Sequence, residues 1–218
     1  MHNKNLEILI STERLKAFRG KSNNSLEELI HRYNYNISLC ACFYAPLHIF
    51  EVAVRNSLSL ELQDYLKDSN WLQNYKTHNL FQKREQDKIQ EALNELKKKK
   101  RPLETGRIIA ELNLGFWINL YDRPYMDFQI NTIRSQFPYA TNKQRDIFKI
   151  KERLQRIRLL RNRIFHYEPI WHWQDLDNYY FEIKETLQWI SSDLYLKSFK
   201  EAEREFKSQF ERQSSMLK

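Results

Sequence analysis

Arg161, Asn162 and His166 stand in the order Arg-Asn-x-x-x-His at the end of a strongly basic stretch, and Pro169 follows shortly after. These residue types form a small kit for acting on phosphate. A histidine takes and gives a proton near neutral pH, since its ordinary pKa is about 6.5. An arginine is a permanent cation whose planar fork matches phosphate oxygens. Together they suffice, in kind, to cut RNA without a metal or any other cofactor.

Nine basic residues lie between 143 and 163: Lys143, Arg145, Lys149, Lys151, Arg153, Arg156, Arg158, Arg161 and Arg163. Only Asp146 and Glu152 oppose them. A run of this kind is ordinarily a solvated helix face. Ile147, Ile150, Leu154, Ile157, Leu160 or Arg161, and Ile164 trace the core-facing stripe, so Arg161 falls beside that stripe rather than opposite it. It is therefore expected to be partly buried and to need a partner or a ligand. Asn162 and His166 are four apart and share a helix face. Arg161 and His166 are five apart, so on a straight helix they diverge by roughly 140° and rise about 7.5 Å. Either the helix kinks or ends before His166, or two copies of the chain face each other and share one cleft.

The elements that would hold these residues read as helices throughout. Apolar spacing predicts a helix from Leu6 to Phe18, then a polar break from Gly20 to Asn24. Ser25 with Glu28 forms a capping-box pattern for a helix toward Tyr44, and Pro46 suits the first turn of another carrying Leu47 to Leu62. Further helices are expected at Phe81–Lys100, Thr105–Leu120, between Pro124 and Pro138, from Thr141 or Asn142 through Arg163, and from Asp175 to Ile190. A last charged helix from about 194 is expected to lie at the periphery and fray. No segment alternates like a strand. One all-α domain of eight to ten helices spanning 1–218 is the expectation.

Composition agrees. Three glycines and five prolines leave few breakers, and no glycine-rich phosphate loop is possible. The net charge of +8 favours an anionic partner, nucleic acid before a membrane surface. The runs at Lys97, Lys98, Lys99, Lys100 and Arg101 and at 143–163 are the candidate contacts. Cys40 and Cys42 read as buried reduced thiols. The N-terminus shows no apolar signal core. The least polar stretch, Leu39 to Leu60, holds His48, Glu51, Arg55 and Asn56 and reads as a buried helix pair rather than a membrane span. A cytoplasmic location follows as the expectation.

The string Arg161-Asn162-Arg163-Ile164-Phe165-His166-Tyr167-Glu168-Pro169-Ile170 resembles the signature of the Abi-like (abortive infection) proteins, an all-helical branch of the HEPN superfamily. Ile49 to Asn56 is similar to that family's Glu-Val-x-x-Arg-Asn helix, and Ile109 to Trp117 to its Glu-Leu-x-x-Gly-Phe-Trp segment. Phe137-Pro138 lies where the family often has Phe-Pro. The likeness spans roughly residues 5 to 190. It departs at Tyr167, where family members commonly carry a second histidine. The resemblance implies a HEPN-like helical bundle with additional helices. It also implies a metal-independent endoribonuclease of anti-phage defence or a toxin, dimerising to form its site. On that reading the RNA 2′-OH attacks the adjacent phosphorus. His166 moves the proton, Arg161 stabilises the phosphoryl charge and Asn162 orients. Arg158, Arg163, Tyr167, Arg55, Asn56 and Lys97 to Arg101 are the expected RNA contacts.

Other chemistries lack their residues. His166-x-Glu168 has no Pro-Cys-x-x-Cys to complete a zinc deaminase, and no His-Glu-x-x-His occurs. Glu168 suits an ion pair with a nearby arginine, and Arg55 an intrahelical pair with Glu51. Gly115-Phe116-Trp117 and Trp171-His172-Trp173 suit a core or a dimer interface. Two alternatives stay open beside the nuclease: a non-catalytic module holding a structured regulatory RNA, and a helical interaction subunit whose arginines pair internally.

Overall fold

The computed structural model describes residues 8–20 and 25–215. The expected start of the first helix at Leu6 and most of the polar break, residues 21–24, lie outside them. The described residues are helical with no strand: α1 Thr12–Lys16, α2 Leu26–Leu66, α3 Lys83–Lys98, α4 Thr105–Glu111, α5 Leu114–Asn119, α6 Met126–Gln136, α7 Ile147–Phe165, α8 Leu176–Ile190, α9 Ser192–Leu194 and α10 Lys200–Ser215. A 3-10 turn, Arg123–Tyr125, leads into α6, and a π turn, Tyr195–Phe199, leads into α10.

The organising element is α2. Its 41 residues, about 60 Å of helix, run unbroken through Pro46. Two helices meeting at Pro46 were expected, so this is a correction. Proline removes one backbone donor and ordinarily kinks or breaks a helix interior. Here Pro46 is itself buried in the core stripe, between Phe43 and Leu47, and packing holds the helix together on both sides. The Ser25–Glu28 capping box at the start is present in both directions. By length and apolarity alone α2 could cross a membrane, yet it is also the helix on which α4, α5, α6, α8 and α10 pack.

Three further expectations change. Ser11 has a φ of 75° and starts α1 afresh by accepting from the Arg14 amide, which splits the expected N-terminal helix. The 105–120 segment is two helices, because Leu112 is extended and the Asn113 side chain caps the second by accepting from Phe116. The C-terminal helix is not peripheral. It packs along α2, with Phe199 and Phe206 in the main core, and Tyr180 stacks on Phe206 at 3.7 Å.

Glycine plays no part in ending the helices. None of the three has a positive φ. Instead Lys67, Lys100 and Tyr167 adopt the left-handed conformation just beyond α2, α3 and α7. At the end of α7 the Tyr167 amide donates to the Ile164 carbonyl, and the Glu168 amide to that of Arg163. This is the paired bonding of a Schellman motif, built without glycine.

Candidate functional site

The end of α7 is where the motif residues meet. The helix is capped by Asp146, whose carboxylate accepts from the amides of Phe148 and Lys149. The expected caps, Thr141 and Asn142, sit upstream, where Thr141 forms a tight turn with Gln144. Leu154, Ile157 and Leu160 are buried and seat α7 against α5, α6 and α8. The helix ends at Phe165, so His166 is its C-cap residue rather than a member of a straight helix. Of the sequence alternatives, helix termination before His166 is the one found within the chain.

Arg161 is held from two sides. Its Nε donates to the Glu51 carboxylate of α2 at 3.0 Å. Its guanidinium lies over the Phe165 ring, 4.5 Å from the centroid. The side chain thus reaches forward one turn, toward the residue next to His166. Only Nε is engaged; among the described residues the two terminal nitrogens find no hydrogen-bond partner. Glu51 is therefore paired with Arg161 across helices and not with Arg55, against the sequence expectation. Partial burial of Arg161 with an acidic partner was expected in kind. Asn162 is half-buried, and its carbonyl accepts from the His166 amide at 2.9 Å. His166 is exposed.

The segment after His166 is pinned by a residue that sequence reasoning missed. Asn36, buried on α2, accepts from the amides of Ile170 and Trp171 at 2.7 and 3.1 Å. Its amide nitrogen donates to Cys40 at 3.6 Å. Burial pushes the Cys40 thiol up to about 11, which leaves it a poor nucleophile. Arg14 of α1 donates to the Tyr167 carbonyl at 3.3 Å and lies near its ring. Neither Asn36 nor Arg14 belongs to a motif, so nothing in their local spacing marks them. Tyr167 itself is 72% exposed and has a φ of 59°. That conformation costs a non-glycine residue about 1–2 kcal/mol, and such outliers gather at functional sites.

Beside this end of α7 runs an open groove of about 690 Å³, mainly apolar, between it and the N-terminal half of α2. Ile37, Tyr44, Ile164, Phe165 and Tyr167 line it, and Tyr44 stacks on Phe165.

The remaining expected contacts are scattered. Arg163 donates to the Pro169 carbonyl, lies near Glu168 at 3.8 Å and sits over Trp173, so it braces the turn. His172 in that turn is held below the ordinary histidine value by burial and by the Arg163 charge. The Arg158 guanidinium packs against Gly115, where a Cβ would lie 2.8 Å from its terminal nitrogen. Asn56 is exposed and faces a different groove. Arg55 is half-buried and its Nε has no hydrogen-bond partner. Lys97 to Arg101 are exposed at the end of α3; Lys99 is paired with Glu111 at 2.9 Å and Lys98 lies 4.0 Å from Glu95. Phe116 and Trp117 are core residues. Among the described residues, no three His, Cys, Asp or Glu side chains gather as a metal site.

What the arrangement can do is limited and specific. It offers a fixed cationic fork with free terminal nitrogens, an amide side chain, and an exposed imidazole on the adjoining turn. That set can bind an oxyanion and move a proton beside it. No family, curated protein or solved structure matches the chain.

Proposed function

We propose that this chain is a metal-independent endoribonuclease of the HEPN, Abi-like type, acting on RNA in anti-phage abortive infection or as a toxin. The observation that carries the reading is the state of Arg161. Glu51 takes only its Nε, and Phe165 supports its plane, so both terminal nitrogens remain for phosphate oxygens. The next turn presents the exposed His166.

In the proposed reaction the 2′-OH of one nucleotide attacks the adjacent phosphorus. The P–O5′ bond breaks, leaving a 2′,3′-cyclic phosphate and a 5′-hydroxyl. Arg161 stabilises charge growing on the phosphoryl oxygens, which is most effective when the donor is pre-oriented. His166 accepts the 2′-OH proton or protonates the leaving oxygen. Two copies of the chain would supply both proton-transfer roles in one cleft. The groove beside His166 supports that arrangement, since Ile37, Tyr44 and Tyr167 are exposed there as a partner surface would be. DNA lacks the attacking hydroxyl and would resist.

The test is incubation of the purified chain with total RNA and EDTA, with mapping of the new ends. Cutting is expected to persist in EDTA, to leave cyclic-phosphate ends, and to vanish in Arg161→Ala and His166→Ala. Full cutting by His166→Ala would overturn the mechanism.

One observation favours a second reading, a helical interaction subunit whose arginines pair internally. Arg161 and Arg163 both have acidic neighbours within the chain, as purely structural arginines would. That reading predicts neither RNA cleavage nor salt-dependent RNA binding, and no effect of His166→Ala on either.

A further inference from the structure

The contacts that join α2 to the end of α7 share one face of α2. Tyr44 stacks on Phe165 with ring centroids 5.6 Å apart, and Glu51 accepts from Arg161 at 3.0 Å. Passing up α2 from Tyr44 to Glu51 passes back along α7 from Phe165 to Arg161, so the two helices run antiparallel here. Tyr44, His48 and Glu51 are spaced i, i+4 and i+7, which sets His48 on the same face, between the two contacts. A helical side chain covers the turn that precedes it. That directs His48 toward Tyr44 and Phe165, the end of α7 from which His166 follows. His48 is exposed, and among the described residues it makes no hydrogen bond or ion pair. An exposed histidine without a partner is ordinarily a plain surface residue. What sets this one apart is that its two neighbours on the face both hold the Arg161 site.

Cleavage by the 2′-OH needs two proton transfers. One proton leaves O2′ as it attacks phosphorus, and another reaches O5′ as the P–O5′ bond breaks. The attacking and leaving oxygens stand roughly in line across the phosphorus. A single imidazole on one side is therefore badly placed to serve both. His166 approaches a phosphate held by Arg161 from the turn after α7, and His48 approaches it from α2. The two imidazoles thus come from different elements to one cationic fork.

We propose that His48 is the second proton-transfer group of the Arg161–His166 site, so that one chain carries both the base and the acid. This rests on the nuclease reading above, and it gives His48 the role that a second copy would otherwise fill. One imidazole, unprotonated, takes the proton of the 2′-OH. The other, protonated, gives its proton to O5′, and exchange with water restores both. The test compares wild type, His48→Ala and His166→Ala as full chains on an RNA oligonucleotide with one mapped cut site, with and without free imidazole. The same oligonucleotide is also made with sulfur in place of the bridging O5′, since a thiolate leaves without a proton. His48 is exposed, so His48→Ala should melt within about 2 °C of wild type. It should cut on the order of a hundredfold more slowly, and free imidazole should restore roughly tenfold of that loss. Sulfur should restore one histidine variant and not the other, which identifies the acid. The proposal is overturned if His48→Ala cuts within about threefold of wild type, an outcome that returns the second role to another copy. It is overturned equally if imidazole restores nothing, as for a merely structural histidine, or if sulfur restores both variants or neither. A wild type that cuts no RNA fails the nuclease reading itself, and His48 with it.

Discussion

The Glu51–Arg161 contact is the joint on which the candidate site depends, and its strength can be worked out. At 3.0 Å the bare attraction is about 5.5 kcal/mol with an effective dielectric of 20. Desolvation of both ions returns much of this. The side chains keep 25% and 19% of their exposure, so water screens what remains. A net value of about 1–2 kcal/mol follows, above a surface pair and below a fully buried one. Glu51→Gln keeps the shape and removes the charge. It should lower the melting temperature by about 3–6 °C in a chain of this size. A double-mutant cycle of Glu51→Gln with Arg161→Met, followed by urea unfolding, isolates the pair. The coupling should reach about 1 kcal/mol. A coupling within about 0.3 kcal/mol of zero, the scatter of independent sites, would show that the contact holds nothing. Cleavage provides a second reading of the same variants. Measured well below melting, Glu51→Gln should lose on the order of tenfold in kcat, because a misplaced Arg161 stabilises the transition state less well. Unchanged kcat would mean that Arg161 needs no aiming, and would refute the positioning role of Glu51.

Three other outcomes are expected. Asn36→Ala strips the acceptor from the Ile170 and Trp171 amides, and should cost about 2–4 kcal/mol while speeding hydrogen exchange at those two amides first. Lys100→Gly relieves a left-handed residue at an exposed position, and should stabilise the fold by about 0.5–1 kcal/mol in chemical unfolding. Burial alone would raise the Glu203 carboxyl, but hydrogen bonds from Lys184, Tyr195 and Lys207 outweigh it and hold it at about 2. A depressed carboxyl stabilises the fold above its unfolded pKa, about 4.3, and loses that contribution as pH falls through its folded value. Acid between about pH 4.5 and 2 should therefore loosen α10 before α2, as read by amide exchange.

Much of the helical pattern was legible because it rests on local signals. The Ser25–Glu28 box, Asp175 before α8 and the apolar stripe of α7 all lie where their spacing put them. Boundaries failed where tertiary packing overrode a local signal. Pro46 reads as a helix start, yet it sits inside α2 because the core residues on either side keep one helix intact. The helix ends after Leu66, Lys98 and Phe165 carried no glycine to announce them, since lysine and tyrosine took the left-handed turn. The site shows the same division. The exposed histidine at a helix end could be read from its neighbours in sequence. Glu51 against Arg161 and Asn36 against the Ile170 amide could not, because each joins positions more than a hundred residues apart.

The basic run of α7 illustrates why charge counting misleads here. Lys149, Lys151, Arg153, Arg156, Arg161 and Arg163 each have an acidic side chain within 4.0 Å. Those partners come from the loop before the 3-10 turn, from α2, from α8 and its cap, and from both ends of α7. Arg145 spends its donors on the carbonyls of Phe137 and Pro138, and Arg158 packs on Gly115. The run is therefore consumed largely in tying α7 to its neighbours, and it leaves little free charge to attract an RNA backbone without regard to sequence. An oxyanion at this end of the helix would be recognised by the groups with open valences, the terminal nitrogens of Arg161 and the side chains of Asn162 and His166. Pairing the rest of the run raises the contrast between that point and the helix surface around it. A nuclease would need such contrast to place one phosphate, whereas a broad RNA-holding face would need its opposite.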